Sequence, residues 1–397
     1  MTPFTFQSPS NILFEAGASH KIAELVGQYG ARHVLLVTDK GVRAAGLTKD
    51  AEAAITAAGI ALTVFDDVVA DPPSHIIEAA AALCKAEHVD LVLSIGGGSA
   101  LDTAKLVAYL AKTPDRLDDI YGVGLAKGQR LPLILAPTTA GTGSEVTPIA
   151  IVTTPTTEKK GVVSPKLIPD WAVLDPELTL GLPANVTAAT GIDAMVHAIE
   201  AYTSKVKKNP MSDQLARQAL ALLAANVRQV CRNGRDIEAR SQMLLGSMLA
   251  GMAFANAPVA AVHALAYPIG AIFHVPHGLS NALVLPHVLQ FNLPAAEALY
   301  AELAEIVKPG LRATSPAERA RAFIDEMVSI GRDCHVPGSL AAVGIGQDDL
   351  KKLAEDAMKQ TRLLVNNPRP LTYDDAYAIY SAAYDERSNR SVRATHE

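Results

Sequence analysis

Four side chains in this 397-residue chain have the types and spacing to hold a divalent transition metal: Asp193, His197, His263 and His277. Asp193 and His197 lie in TGIDAMVHAIEAY, which reads as helix, and a four-residue spacing puts them one turn apart on one face. His263 and His277 lie in VHALAYPIGAIFHVPHGLSNA, an apolar helical segment running into a proline-broken loop. One carboxylate and three imidazoles form a plausible ligand set for such an ion, with a position left for a substrate oxygen. The same histidines read equally as hydrogen-bonded core residues, because spacing does not say whether the two segments meet.

The elements that would position a reaction partner lie in the first half of the chain. HVLLVTD, ALTVFDDV, VDLVLSIGGG and LPLILAPTT read as buried strands. Helical runs separate them: Gly41 to Ala58, a helix entered through Pro72 and Pro73, and SALDTAKLVAYLAK. Continuous apolar strands alternating with helices predict an α/β, Rossmann-like, doubly wound parallel sheet. Ligands of such sheets lie at the carboxyl ends of strands. Gly96, Gly97, Gly98 and Ser99 stand at such an end and open a helix, so backbone N–H groups can approach a phosphate. The GxGxxG pattern fails, since Ala100 and Leu101 follow Ser99; a tight turn without ligand is the competing reading.

Asp102 and Lys105 follow either as surface residues or as supports of that loop. Asp39 closes the first strong strand, where a carboxylate suits a ribose hydroxyl and repels a 2′-phosphate; it serves equally as a helix N-cap. Thr138 to Glu145, TTAGTGSE, is a second small-residue loop after a strand. Past a proline-rich connector, Pro169 to Pro183, the periodicity becomes almost wholly helical. The expected domains are residues 1–182, binding a dinucleotide, and 183–397, all-helical and carrying the four candidate ligands.

Composition narrows the classes. The chain is 49% hydrophobic and 19% charged, with a formal net charge of −6 and an isoelectric point near 6.0. That charge excludes a nucleic-acid partner, which needs a basic surface. No apolar stretch reaches the length of a membrane span, and MTPFTFQSPS has no signal-peptide features. Cys84, Cys231 and Cys334 are odd in number and lack CxxC spacing, which fits free thiols in the cytoplasm rather than a disulfide scaffold.

Four long motifs resemble the iron-containing, or group III, alcohol dehydrogenases: SIGGGSALDTAK, APTTAGTGSEVT, GIDAMVHAIEAY and VHALAYPIGAIFHVPHGLSNALVLPHVLQFN. They stand in that family's order, and the resemblance covers nearly the whole chain. The resemblance implies a dehydroquinate synthase-like architecture with the active site in the cleft between the domains. It implies Asp193, His197, His263 and His277 as ligands of Fe²⁺, or Zn²⁺ in some members, with His263 and His277 at the catalytic centre. It implies NAD as cofactor, held by Gly97, Gly98 and Ser99, by Thr138 and Thr139, by Lys160, by Asp71 near the adenosine, and by the turn from Leu178 to Leu182. Asp39 takes the position associated with NAD preference.

The expected reaction is hydride transfer between a small alcohol or aldehyde and NAD, in a homodimer or larger assembly. A zinc-dependent glycerol dehydrogenase-like or a metal-free maleylacetate reductase-like enzyme of the same fold is the alternative. One departure stands out. Where many members carry a further histidine, four residues after His263, this chain has Tyr267. Phe254, Tyr267 and Phe273 suggest an apolar pocket for the alcohol. His274 and His287 are not expected to be ligands.

Overall fold

The computed structural model describes residues 3–156, 158–312 and 315–385. The chain divides into two compact units. One comprises Gln7–Leu182 together with Arg235–Ala255; the other comprises Pro183–Gly234, the described chain from Asn256 onward and the few residues before Gln7.

The first unit is built on strands β1 (Asn11–Phe14), β2 (His33–Val37), β3 (Ala61–Phe65), β4 (Leu91–Gly96), β5 (Gly122–Val123), β6 (Leu133–Pro137), β7 (Ile149–Thr153), β8 (Lys159–Val163) and β9 (Trp171–Leu174). Six of them form one sheet in the order β1-β9-β6-β4-β2-β3, every pairing parallel. Helices α1 (Ile22–Gly27), α2 (Lys40–Ala44), α3 (Lys49–Ala57), α4 (Ser74–Ala86) and α5 (Gly98–Lys112) connect them.

Successive strand residues point to opposite faces, so each apolar strand feeds two cores. Leu35, Val37, Val92, Leu133 and Leu135 join Ile77, Leu101 and Val107 of α4 and α5. Val34, Leu36, Leu91, Leu93 and Ile134 join Ile22, Val26 and Ile55 of α1 and α3. The strands β5, β8 and β7 form a small separate sheet.

Two local readings of the sequence change. The helix expected from Gly41 to Ala58 is broken into α2 and α3, with Gly46 between them at φ +78°. The proline-rich connector contains β9, which lies between β1 and β6. Its prolines flank the strand rather than interrupt it, so no ladder donor is lost.

The second unit is helical: α6 (Ala184–Thr203), α7 (Pro210–Arg232), then, after α8 (Ile237–Asn256) of the first unit, α9 (Ala261–Phe273), α10 (His277–Val307), α11 (Pro316–Asp333), α12 (Leu350–Ala357), α13 (Thr361–Leu364) and α14 (Tyr373–Tyr384). Helix α6 packs against α7 and α10, and α10 against α9 and α11. Helix α10 runs 31 residues through Pro286 and Pro294. Among the described residues no single helix is long and apolar enough to cross a membrane.

Candidate metal centre and cofactor loops

Helix α6 presents Asp193, His197 and Glu200 at intervals of four and three residues, and all three are buried. Buried carboxylates are rare without partners, so their surroundings decide what they do. His263 comes from the first turn of α9, and His277 is the first residue of α10 rather than part of a loop. What lets α10 begin so close to α6 is Gly278: a Cβ there would lie 2.4 Å from the carbonyl oxygen of Ala189. Only glycine permits that approach.

The four predicted ligands converge within the helical unit. One ligand atom each from Asp193, His263 and His277 lie within 4.8 Å of one another. The Nε2 atoms of His263 and His277 are 3.8 and 3.7 Å from Asp193 Oδ1. His197 joins through its Nε2, 3.0 Å from that of His263. The amide nitrogen of Asn281, one turn along α10, points into the middle of the set. It is 2.6 Å from Asp193 Oδ1, 3.2 Å from His277 Nε2 and 3.4 Å from His263 Nε2. The Oδ1 of the same amide is buried without a partner.

This donor set fits a divalent cation. An amide has two hydrogens for those three acceptors, and two imidazole Nε2 atoms 3.0 Å apart require a proton between them. A cation satisfies every one of these lone pairs at once. Burial pushes the Asp193 carboxyl up to about 6, against the charge of His263 and the hydrogen bond from Asn281; a cation would draw it back toward the anion.

Glu200, which sequence reading passed over, completes the centre. Its Oε2 accepts from His263 Nδ1 at 2.7 Å and from the backbone N–H of Ala260 at 2.9 Å. Its Oε1 accepts from the N–H of Val262 at 2.7 Å. The carboxylate thus caps the start of α9 and keeps a proton on Nδ1 of His263, turning Nε2 toward the other ligands. The available signal was its three-residue spacing from His197. Tyr267, one turn after His263, is 8% exposed, and its ring lies 5.9 Å from that of His277. His274 is the left-handed C-cap of α9 at φ 56° and is exposed. His287 lines a cavity of about 340 Å³ among α6, α10 and α11 that none of the four ligand candidates touches.

The predicted cofactor residues lie in the sheet unit. Three loops sit side by side at the carboxyl ends of β2, β4 and β6, held by Thr38 Oγ1 donating to the Ile95 carbonyl (2.7 Å) and the Thr138 N–H donating to that of Gly96 (2.9 Å). Gly97 is the N-cap of α5, where no side chain caps the helix, so its first-turn N–H groups suit a phosphate. A Cβ on Gly98 would meet Thr142 Cγ2 at 2.6 Å, so the glycine and threonine loops touch.

Asp102 and Lys105 are not surface residues. Lys105 Nζ is fully buried and donates to Ser144 Oγ, Thr147 Oγ1 and the Ile149 carbonyl at 2.8, 3.1 and 2.6 Å. Asp102 accepts from Ser144 Oγ at 2.5 Å and the Ile151 N–H at 2.9 Å. Together they sew α5 to the threonine loop. Gly143, at φ +58°, lies so near Gly251 of α8 that a Cβ would come 2.6 Å from the Gly251 Cα. Gly251 was invisible in the sequence because a helical glycine has many uses.

Asp39 Oδ1 caps α2 by accepting from the Val42 N–H at 2.9 Å. Asp71, at φ 51°, is paired with Lys159 at 2.7 Å. Lys160 is half exposed, 5.6 Å from the centre of the Tyr121 ring. Leu178 is buried, and the Leu182 carbonyl accepts from Arg240 at 3.1 Å.

Known proteins resemble this chain along both of its halves. The iron-containing alcohol dehydrogenase family matches residues 9–176, and the C-terminal region of the Fe-containing alcohol dehydrogenase family matches residues 187–384. The chain is 41% identical to Long-chain-alcohol dehydrogenase 1 of Geobacillus thermodenitrificans (strain NG80-2), over 93% of each chain. It is 34% identical to the NAD-dependent methanol dehydrogenase of Bacillus methanolicus, over 96% of this chain and all of the other. The solved alcohol dehydrogenase from Oenococcus oeni superposes with a TM-score of 0.93 at 35% identity, covering 96% of this chain and 100% of that one. A parallel-sheet unit with a glycine loop, a helical unit with a carboxylate–trihistidine cluster, and matches along both halves place this chain in the iron-containing alcohol dehydrogenase family.

Proposed function

We propose that this protein catalyses reversible hydride transfer between a small alcohol and NAD, with Fe²⁺ held by Asp193, His197, His263 and His277. The observation that carries this reading is the convergence of Asp193, His263 and His277, with His197 against His263 and Glu200 behind it. When bound, the metal supplies a Lewis acid that acidifies the alcohol hydroxyl and, in the reverse direction, polarises the carbonyl.

The chain's own residues do the rest. One carboxylate and three neutral imidazoles carry a single negative charge, so they neutralise only half of a divalent cation and leave its acidity usable. Glu200 holds the Nδ1 proton of His263 and so fixes the direction of its Nε2 lone pair. Zn²⁺ suits the same donors, and iron is favoured by the family. In the sheet unit, Gly97, Gly98 and Ser99 offer backbone N–H groups to the pyrophosphate. Thr138, Thr139, Lys160, Asp71, Leu178 and Leu182 are the further cofactor residues, and Asp39 is the ribose ligand that disfavours a 2′-phosphate. Orientation of alcohol and nicotinamide, and exclusion of water, are the protein's remaining contributions.

Relatives acting on methanol and on long-chain alcohols are both similar to this chain, so the fold does not choose the alcohol. Buried Tyr267, beside the His277 ring, supports an apolar alkyl group. Cytoplasmic residence and a homodimer or larger assembly complete the proposal. The experiment follows NADH absorbance over a panel of alcohols, diols and aldehydes, with the purified protein loaded with Fe²⁺ or Zn²⁺. Metal-dependent turnover of NAD is expected. Turnover that survives in a metal-stripped His277→Ala variant overturns the assignment.

A further inference from the structure

Away from the metal centre, the C-terminal ends of α7 and α11 are pinned together by Arg228. Its Nε donates to Asp333 Oδ2 at 2.8 Å and its Nη2 to Ser329 Oγ at 3.2 Å, while Nη1 lies 2.9 Å from Glu326 Oε1. All three acceptors belong to the last turns of α11. One turn after Arg228 on α7 comes Cys231, and next to Asp333 comes Cys334, the C-cap of α11. The ion pair therefore sets the register that brings Cys231 and Cys334 beside each other at the two helix ends. Cys334 is buried and Cys231 partly exposed, whereas Cys84 is sealed in the core of the sheet unit. Helix α11 ends at Cys334, and the next residue, His335, turns the chain away at φ 57°.

We propose that Cys231 and Cys334 form a reversible oxidation site, closed to a disulfide by a hydroperoxide. The partly exposed Cys231 sulfur takes an oxygen from the peroxide; the O–O bond breaks, the peroxide leaves as its alcohol or as water, and Cys231 becomes a sulfenic acid. The Cys334 sulfur then attacks that sulfur, the S–O bond breaks, and water leaves carrying the Cys334 proton. Two thiols lose two electrons and the peroxide gains them. A dithiol reverses the step. The neighbouring Cys231 sulfur and burial both favour the thiol form of Cys334 at rest. The bridge ties two helix ends about a hundred residues apart in sequence, so the oxidised form should also unfold at a higher temperature.

The test treats the full-length, metal-loaded protein with hydrogen peroxide, then blocks thiols in denaturant and maps peptides. The expected result is a linked peptide pair containing Cys231 and Cys334. Titratable thiols fall from three to one and return with dithiothreitol. Cys334→Ala should instead accumulate sulfinic acid at Cys231, and Cys84→Ser should still form the link. A wild-type protein that carries sulfinic acid at Cys231 with Cys334 still a thiol, or that shows no linked pair, overturns the proposal.

Discussion

Glu200 Oε2 stands 2.7 Å from Nδ1 of His263, and the same carboxylate accepts the N–H groups of Ala260 and Val262 at the start of α9. One buried anion on α6 therefore fixes both the direction of a candidate metal ligand and the place where that ligand's helix begins. Glu200→Gln keeps the side-chain volume but replaces one acceptor oxygen with a donor. Metal affinity should fall by about 10–100-fold. The metal-free protein should also lose about 1–3 kcal/mol, because a buried backbone N–H is left unpaired. Metal titration and thermal unfolding of the stripped protein check the two effects separately; unchanged affinity would assign Glu200 to helix capping alone.

Gly278 is the next place where geometry is unforgiving. Gly278→Ala drives a Cβ to 2.4 Å from the Ala189 carbonyl oxygen, and neither backbone can yield without moving. A cost of about 1–3 kcal/mol is expected. Since His277 is the adjoining residue, metal content after dialysis should fall along with stability. A variant that is less stable yet retains full metal would show that α10 can shift without carrying His277 with it.

Asp39 has two possible duties, and Asp39→Asn separates them. Asparagine still offers an oxygen to the Val42 N–H, so the α2 cap persists. The negative charge that would oppose a 2′-phosphate is gone. The ratio of kcat/KM for NADP to that for NAD should rise by about tenfold or more. An unchanged ratio with normal stability would leave Asp39 as a cap only.

Tyr267 lies beside the His277 ring, 5.9 Å between centroids. Tyr267→His exchanges a large phenol for a smaller, more polar ring. Relative kcat/KM should move from apolar alcohols toward short diols, by about tenfold, with metal content unchanged. Profiles that scale together across the alcohol panel would argue against a role in substrate choice.

Glu145 makes a pH prediction. Burial raises its carboxyl from 4.5 to about 7, and its Oε1 has no hydrogen-bond partner. Below the unfolded value both states are protonated and the group costs nothing. Between about 4.5 and 7 the unfolded chain ionises first, so stability falls as pH rises, by about 3 kcal/mol at most. Glu145→Gln should remove that slope. Unfolding free energies of the two proteins, measured from acid to mildly alkaline pH, should diverge through this window; parallel curves would mean Glu145 ionises as readily folded as unfolded.

The local pattern carried a good part of this architecture. Apolar strands ending in glycine or threonine loops announced a parallel sheet, and the Asp193–His197 interval announced one shared helix face. What spacing could not convey was approach in space. The meeting of α6, α9 and α10 depends on Gly278 touching Ala189, and the threonine loop depends on Gly143 touching Gly251, residues 108 positions apart in sequence. Glu200 passed as one more helical acid because its partners are backbone N–H groups on another helix. Strand β9 was hidden by its flanking prolines, and the helix after β2 looked continuous because a single left-handed glycine, Gly46, is enough to break it.

The excursion of α8 has a consequence for the order in which this protein can be made. The sheet unit is not finished at Leu182: the Leu182 carbonyl awaits Arg240, and the loop at Gly143 awaits Gly251. A ribosome must therefore release the first helices of the other unit before the sheet unit can close, so the two units mature as interleaved partners rather than one after the other. Nascent chains stalled before α8 has emerged should stay sensitive to protease at the threonine loop, and resistance there should appear only once Gly251 is clear of the tunnel.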